Sequence, residues 1–279
     1  MLGKLIKHEW ISTWKVPTAL CIYLGVFTIL GCISFLFPIW ESDNVIIELI
    51  AILSIILYIF SLFAITITVF VYFVVRFYKS MYSCEGYLTH SLPVKPWEHI
   101  FSKGLTFFIW MAITVIALTA SIMLLILTAL STVDGQTMYM VWDSFKHVVL
   151  PELSAMWQEL FGMSLGAYTF VISISSIISS VYAILMIYFS ISVGQLFNKH
   201  KLMASFIAYV VINCVMQLIT SLLQLPIFKT ILADPLAADT AVPNMFRYML
   251  SSGLILSVVL AVAYAFGTEY ITRKKLNLD

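Results

Sequence analysis

The sequence predicts an all-α membrane protein with six transmembrane helices. Of its 279 residues, 62% are hydrophobic and only 10% are charged, whereas about 25% of residues are charged in soluble domains. Hydrophobic residues form six continuous runs, each long enough to cross a hydrocarbon core of about 30 Å as a helix: 17–40, 45–75, 104–130, 168–196, 203–223 and 249–271. Membrane barrels are excluded because their strands alternate polar and apolar residues. We therefore expect a single transmembrane domain, 1–279, in the plasma membrane.

The distribution of positive charge predicts the orientation. All fifteen Lys and Arg residues except Lys146, Lys229 and Arg247 fall in the segments 1–16, 76–103, 197–202 and 272–279. Six crossings place these four segments on one side of the membrane, and the positive-inside rule makes that side, with both termini, cytoplasmic. The positive-inside rule is sufficient to explain the basic residues on this side. We therefore expect the lipid bilayer as a partner and no nucleic acid.

The N-terminal segment 1–16 has the pattern of an interfacial helix. Its apolar residues share one helical face and its basic residues surround the other, which is typical of a helix lying in the headgroup layer. Trp10 and Trp14 are predicted to anchor it there. The apolar face consists of Leu2, Leu5, Ile6 and Trp10, and the polar face of Lys4, Lys7 and His8.

Two longer segments, 131–167 and 224–248, are predicted on the outer side. The first is rich in aromatic residues, which favours an ordered segment containing an amphipathic helix over disorder. The second contains Pro226, Pro235 and Pro243, which predict that the apolar stretch 222–232 is interrupted.

The sequence contains no pattern for a catalytic, nucleotide or metal site. It lacks G-x-x-x-x-G-K-[ST], H-E-x-x-H and C-x-x-C, the motifs for phosphate, zinc and redox chemistry. No apolar run pairs a nucleophile with a base, which disfavours an intramembrane enzyme, and none has an ionisable residue near its middle, which disfavours ion-driven transport. We expect no cofactor in this chain.

Uncharged polar residues occur within the runs instead. Asn213 lies at the middle of the fifth run, and Gln217 and Gln224 continue its helical face. Two interpretations stay open: these residues line a substrate path, or they form hydrogen bonds between helices. In the sixth run, small residues recur every four positions and predict close packing of helices: Gly253, Ser257, Ala261 and Ala265.

The polar segment 76–103 carries a family likeness. It contains Arg76-Phe77-Tyr78, the sequence EGYLT at 85–89, Leu92-Pro93-Val94 and Lys103. Together with LIKHEW at 5–10 and RKKL at 273–276, this segment resembles the permease subunits of ABC-2 type exporters, especially those of Gram-positive bacteria. The long outer segment 131–167 departs from the better-known members.

The resemblance implies a coupling helix within 76–103 that presses into a groove of an ABC ATPase subunit. By position, the contact would be made by Glu85, Gly86, Tyr87, Leu88, His90 and Leu92. A pair of ATPases would bind ATP and Mg, and a second permease, identical or homologous, would complete a path lined by spans one, two and five.

The function expected from this resemblance is ATP-driven export of an amphipathic or hydrophobic substrate, with antimicrobial peptides as one candidate. The alternative is a membrane sensor or scaffold whose outer segment 131–167 binds a signal.

Overall fold

The computed structural model describes residues 2–36, 45–91, 93–133, 135–197, 200–233 and 238–274. Within these ranges, the side chains of 47–48, 84, 88, 90, 227–233 and 238–243 lie outside the description. In the described part of the chain every regular element is a helix. In chain order these are α1 (Leu2–Thr13), α2 (Lys15–Leu36), α3 (Val45–Tyr82), α4 (Cys84–Ser91), α5 (Pro96–Ser131), α6 (Gly135–Ser144), a π-helical turn (Phe145–Val149), α7 (Leu150–Phe161), α8 (Leu165–Gly194), α9 (Lys201–Ala233) and α10 (Ala238–Lys274).

Six of these helices are long and apolar enough to cross a membrane, namely those over Lys15–Leu36, Leu49–Tyr82, Pro96–Ser131, Leu165–Gly194, Lys201–Pro226 and Asn244–Lys274. Each overlaps one predicted run, so the predicted all-α membrane fold class is confirmed at this level. The cytoplasmic location of the termini and the single-domain organisation stay predictions.

Several helix boundaries differ from the predicted runs. Helix α3 continues to Tyr82 and α5 begins at Pro96, so both ends of the predicted connection 76–103 belong to long helices. Charged and polar residues end an apolar run without ending a helix, because the backbone hydrogen bonds continue wherever the residue is compatible with the helix. The last residues of the first predicted run, 37–40, lie outside the described residues.

The predicted interruption of 222–232 is wrong. Helix α9 runs without a break from Lys201 to Ala233 and contains Pro226. Proline removes one backbone N–H and crowds the carbonyl four residues earlier, at a cost of about 3 kcal/mol. That cost does not end a helix of 33 residues, whose other hydrogen bonds are retained.

The chain forms two compact units. The first, Met1–Arg76 with Leu105–Asp143, is held by hydroxyl groups shared between helices. The Ser121 hydroxyl of α5 lies 2.6 Å from Thr28 Oγ1 of α2 and 2.8 Å from the Tyr58 hydroxyl of α3. Such hydrogen bonds between spans contribute about 0.6 kcal/mol each, so this cluster fixes the register of three helices more than it adds stability.

Helix α1 is attached to the first unit by a partly buried ion pair. Glu9 is 9% exposed, and its carboxylate lies 3.7 Å from Nε of Arg76, whose Nη2 donates to Ser12 Oγ at 3.2 Å. The Trp10 ring stacks on Trp110 at 4.8 Å. Trp10 therefore has a packing role, whereas the sequence predicted only an interfacial one.

The second unit, Phe77–Gly104 with Ser144–Asp279, packs α8 closely against its neighbours. Phe77 and Tyr188 stack in parallel with ring centroids 3.6 Å apart. Phe189 of α8 stacks on Tyr264 of α10 at 5.2 Å. These contacts fix the end of α3, α8 and α10 relative to one another.

A polar clamp holds α7 to α10 within the same unit. Helix α7 is followed by Gly162, whose φ of +61° is left-handed and favours glycine. Arg247 of α10 donates through Nε to the Phe161 carbonyl at 3.2 Å and through Nη2 to the Gly162 carbonyl. A cation that binds the last carbonyls of a helix also complements the negative end of its dipole. The clamp orders part of segment 131–167.

Candidate functional site: helix α4 and a polar groove

Helix α4 is a separate short helix between two membrane-length helices. Ser83 is non-helical and separates α4 from α3. Its carbonyl accepts a hydrogen bond from the Gly86 N–H at 2.7 Å. Pro93 and Pro96 follow α4, and neither can donate the backbone hydrogen bond that would extend it. Glu85 lies in the first turn, where a carboxylate is favoured by the helix dipole.

The predicted contact residues divide between a buried and an exposed side. Gly86 is buried, whereas Glu85 and Tyr87 are exposed, Tyr87 by 56%. Leu88 and His90 lie in α4, but their side chains, and the whole of Leu92, lie outside the described residues. The structure therefore presents an acidic and an aromatic side chain on one exposed helix, and their contact with an ATPase stays a prediction.

Tyr82, the last residue of α3, lies two residues before α4 and contacts two other spanning helices. It is 3% exposed, and its hydroxyl lies 2.6 Å from Ser192 Oγ of α8 and 3.1 Å from Thr272 Oγ1 of α10. Ser192 and Thr272 each donate to a carbonyl of their own helix. The Tyr82 proton is thus available to one of them, and the shorter distance selects Ser192 as its acceptor.

A groove of about 320 Å³ opens among three helices of the second unit. Helix α8 contributes Tyr182; helix α9 contributes Asn213, Met216, Gln217 and Thr220; helix α10 contributes Gly253, Leu256, Ser257 and Leu260. This volume lies near the lower end of the range for ligand sites, about 300–1,000 Å³. The lining residues carry no formal charge, and apolar walls alternate with uncharged polar groups.

The polar groups of the groove offer both hydrogen-bond acceptors and donors. The Asn213 amide nitrogen donates one hydrogen to the Tyr209 carbonyl at 3.0 Å, which leaves its oxygen and its second N–H for a ligand. The Thr220 hydroxyl donates to the Met216 carbonyl and the Ser257 hydroxyl to the Gly253 carbonyl. The Thr220 and Ser257 oxygens can therefore accept a hydrogen bond from a ligand, and the Asn213 and Gln217 amides can both accept and donate, as a peptide group requires.

The structure brings together only part of the predicted substrate path. Asn213 and Gln217 line one groove, whereas Gln224 is not among its lining residues and Thr220 occupies that face instead. The prediction of close packing is wrong for Gly253: a Cβ there would meet nothing within 4 Å. Small residues also occur where a helix borders open space, and the four-residue spacing alone does not distinguish the two cases.

Sequence reasoning missed Tyr82, Ser192 and Thr272, which lie far apart in the chain. Tyr82 follows the predicted end of the second run, and only its position just before α4 could have drawn attention to it. Glu9 was also missed, although a carboxylate on the apolar face of 1–16 was a usable signal.

No protein-family model, curated protein or solved structure matches this chain. The architecture by itself therefore defines the class of protein, which is a multi-pass, all-α membrane protein.

Proposed function

We propose that this chain is the permease subunit of an ATP-driven ABC exporter that moves an amphipathic or hydrophobic substrate, such as an antimicrobial peptide, out of the cell. The observation that carries the proposal is α4, which exposes Glu85 and Tyr87 and follows directly after the buried Tyr82 at the end of α3. In this role α4 docks in a groove of a separate ATPase subunit, and a second permease, identical or homologous, completes the transporter.

The contacts of Tyr82 can transmit a displacement of α4 to the helices that line the polar groove. ATP binding, with Mg, would draw the ATPase pair together and displace α4. Because Tyr82 contacts α8 and α10, this displacement would reach two helices that also line the groove. A change in their separation would widen or narrow the groove and so change its access.

The groove supports an amphipathic cargo. Apolar walls formed by Met216, Leu256 and Leu260 suit a greasy part of a ligand, and the acceptors of Asn213 and Ser257 suit peptide N–H groups. A charged group would find no countercharge among the described lining residues.

Replacing Glu85 and Tyr87 together with alanine is expected to abolish stimulation of the partner ATPase. Both side chains are exposed, so their removal should leave folding and membrane insertion intact. The measurement is ATP hydrolysis in proteoliposomes containing this chain and the ATPase that copurifies with it at native expression. If no ATPase copurifies, the proposal is wrong.

The matched control is the double substitution Tyr139→Ala with Glu159→Ala. These residues are a tyrosine and a glutamate that are also exposed, but they lie in 131–167. We expect this control to keep normal ATP-driven transport. Loss of activity in the control, with normal activity in the α4 variant, would contradict the permease function.

Replacing Asn213 and Gln217 together with alanine is expected to weaken substrate recognition. Loss of two hydrogen bonds of about 1 kcal/mol each should raise the half-stimulating concentration of an amphipathic peptide about 30-fold and leave basal ATP hydrolysis unchanged. The measurement is peptide-dependent ATP hydrolysis in proteoliposomes. The control is Gln224→Ala, on the same helix but not among the groove-lining residues, and an equal effect of the control would exclude the groove as the peptide site.

A membrane sensor or scaffold is the second candidate, and one observation favours it. Helix α6 exposes two large aromatic side chains, Tyr139 by 72% and Trp142 by 61%. An exposed aromatic surface of this kind suits binding of a signal. Vesicle transport with and without ATP separates the two functions.

A further inference from the structure

A second pocket, of about 680 Å³, lies in the second unit at the ends of two spanning helices. One wall is the connection from α4 into the first turn of α5, and the other is the last turns of α10. The lining residues are Pro93, Val94, Lys95, Pro96, Trp97, Glu269 and Arg273. The two prolines restrict the backbone of the first wall, so this side of the pocket is preformed.

The pocket has an excess of positive charge with one acidic group. Lys95 and Arg273 are cationic, and Glu269 lies one helical turn before Arg273 on the same face of α10. The guanidinium presents a planar set of donors that matches phosphate oxygens, and the lysine adds a point charge. The Glu269 carboxylate can accept a hydrogen bond from a hydroxyl group next to that phosphate.

Both walls lie close to the ends of predicted apolar runs. Trp97 lies seven residues before the apolar run that begins at Gly104, or about 10 Å at 1.5 Å per residue. Arg273 lies two residues after the apolar run that ends at Ile271, or about 3 Å. The headgroup layer is about 5–8 Å thick on each side of the hydrocarbon. We therefore expect the pocket at the membrane surface, where tryptophan is enriched; Trp97 is 42% exposed.

From the charge, the shape and the depth together, we propose that this pocket binds the headgroup of an anionic glycerophospholipid with a free hydroxyl, of the phosphatidylglycerol type. The phosphate contacts Lys95 and Arg273, and the headgroup hydroxyl donates to Glu269. One net positive charge in the pocket is then balanced by one negative charge on the lipid, a balance that a zwitterionic headgroup does not provide. The lipid joins the α4–α5 connection to α10.

The test is native mass spectrometry of the full chain released from nanodiscs that contain phosphatidylglycerol, phosphatidylethanolamine and phosphatidylcholine. We expect selective retention of phosphatidylglycerol by the unmodified chain, and retention at least fivefold lower in the double variant Lys95→Gln with Arg273→Gln. Lys4→Gln with Lys7→Gln is the matched control, since it removes two exposed lysines of α1 outside the pocket, and it should retain the lipid normally. Equal loss in the control would attribute binding to diffuse surface charge and overturn the proposal.

Two further results separate the source and the chemistry of the ligand. If inorganic phosphate displaces the lipid at millimolar concentration, or if phosphatidylethanolamine is retained equally, the lipid assignment is wrong. Arg273→Lys keeps the charge and is the variant to use if the double variant does not fold. It should show intermediate retention because it loses the planar donor pair, and full retention in this variant would exclude the proposed phosphate contact.

Discussion

Replacing Phe77 with alanine is expected to lower the Tm of the protein by about 5–10 °C. Phe77 and Tyr188 are each 1% exposed, and their rings are stacked with an interplanar angle of 5°. Truncating a buried phenylalanine costs about 3–5 kcal/mol, and about 1 kcal/mol corresponds to 2–4 °C in proteins of this size. The expected Tm shift corresponds to the lower end of both ranges, because burying an apolar side chain contributes less free energy when lipid rather than water surrounds the protein.

The measurement is the fraction of purified protein that stays monodisperse after heating. Phe63→Ala is the control on the same helix: Phe63 is 66% exposed, so its removal leaves no cavity inside the protein. A Tm shift of the same size in both variants would show that the Phe77 stack does not hold α3 to α8.

The Phe77 variant also tests whether a displacement of α4 is transmitted through Tyr82 to α8 and α10. Phe77 lies five residues before Tyr82, and both are buried in the last turns of α3, just before α4. If Tyr188 loses its stacking partner, we expect ATPase stimulation to fall at temperatures where the variant is still folded. The Phe63 control should keep normal stimulation.

Replacing Gly194 with alanine is expected to destabilise the α8–α9 corner by about 1–3 kcal/mol, the usual cost of overpacking. A Cβ at Gly194 would overlap the backbone N and Cα of Ser205, which cannot move without shifting α9. The Ser205 hydroxyl lies 3.4 Å from the Ile191 carbonyl, a contact that separation of the helices would remove. Thermal unfolding of the purified chain measures the effect.

Gly166→Ala is the matched control, because Gly166 lies in the same helix and a Cβ there would meet nothing within 4 Å. Alanine has a higher helix propensity than glycine by about 1 kcal/mol. We therefore expect a small rise in Tm for Gly166→Ala and a fall for Gly194→Ala. A rise in both would mean that α8 and α9 are not in close contact at this corner.

Much of the architecture was predictable because it depends on local composition. A continuous apolar run long enough to cross the hydrocarbon must satisfy its backbone hydrogen bonds within itself, and a helix does so. The predictions that were wrong each inferred a structural feature, a helix end or a helix contact, from the type of a single residue. Pro226 did not end α9, and the spacing of Gly253 indicated packing where the structure has an open groove.

The candidate site was predictable only in part. The exposed residues of α4 could be recognised because they lie in a polar segment between two apolar runs. Asn213 and Gln217 could be recognised because they are polar residues within the fifth apolar run. Thr220 lines the groove and Gln224 does not, because the positions of α8 and α10 determine which part of α9 borders the groove. No pattern within one helix contains that information.

The sequence by itself determined that this is a membrane protein of six long helices with a polar, aromatic connection after the second, because hydrophobicity and helix length are properties of each segment alone. Only the tertiary structure decided that Tyr82 meets Ser192 and Thr272, and that Lys95 shares a pocket with Arg273. These pairs are more than 100 residues apart in the chain, so their proximity follows from how whole helices pack against one another.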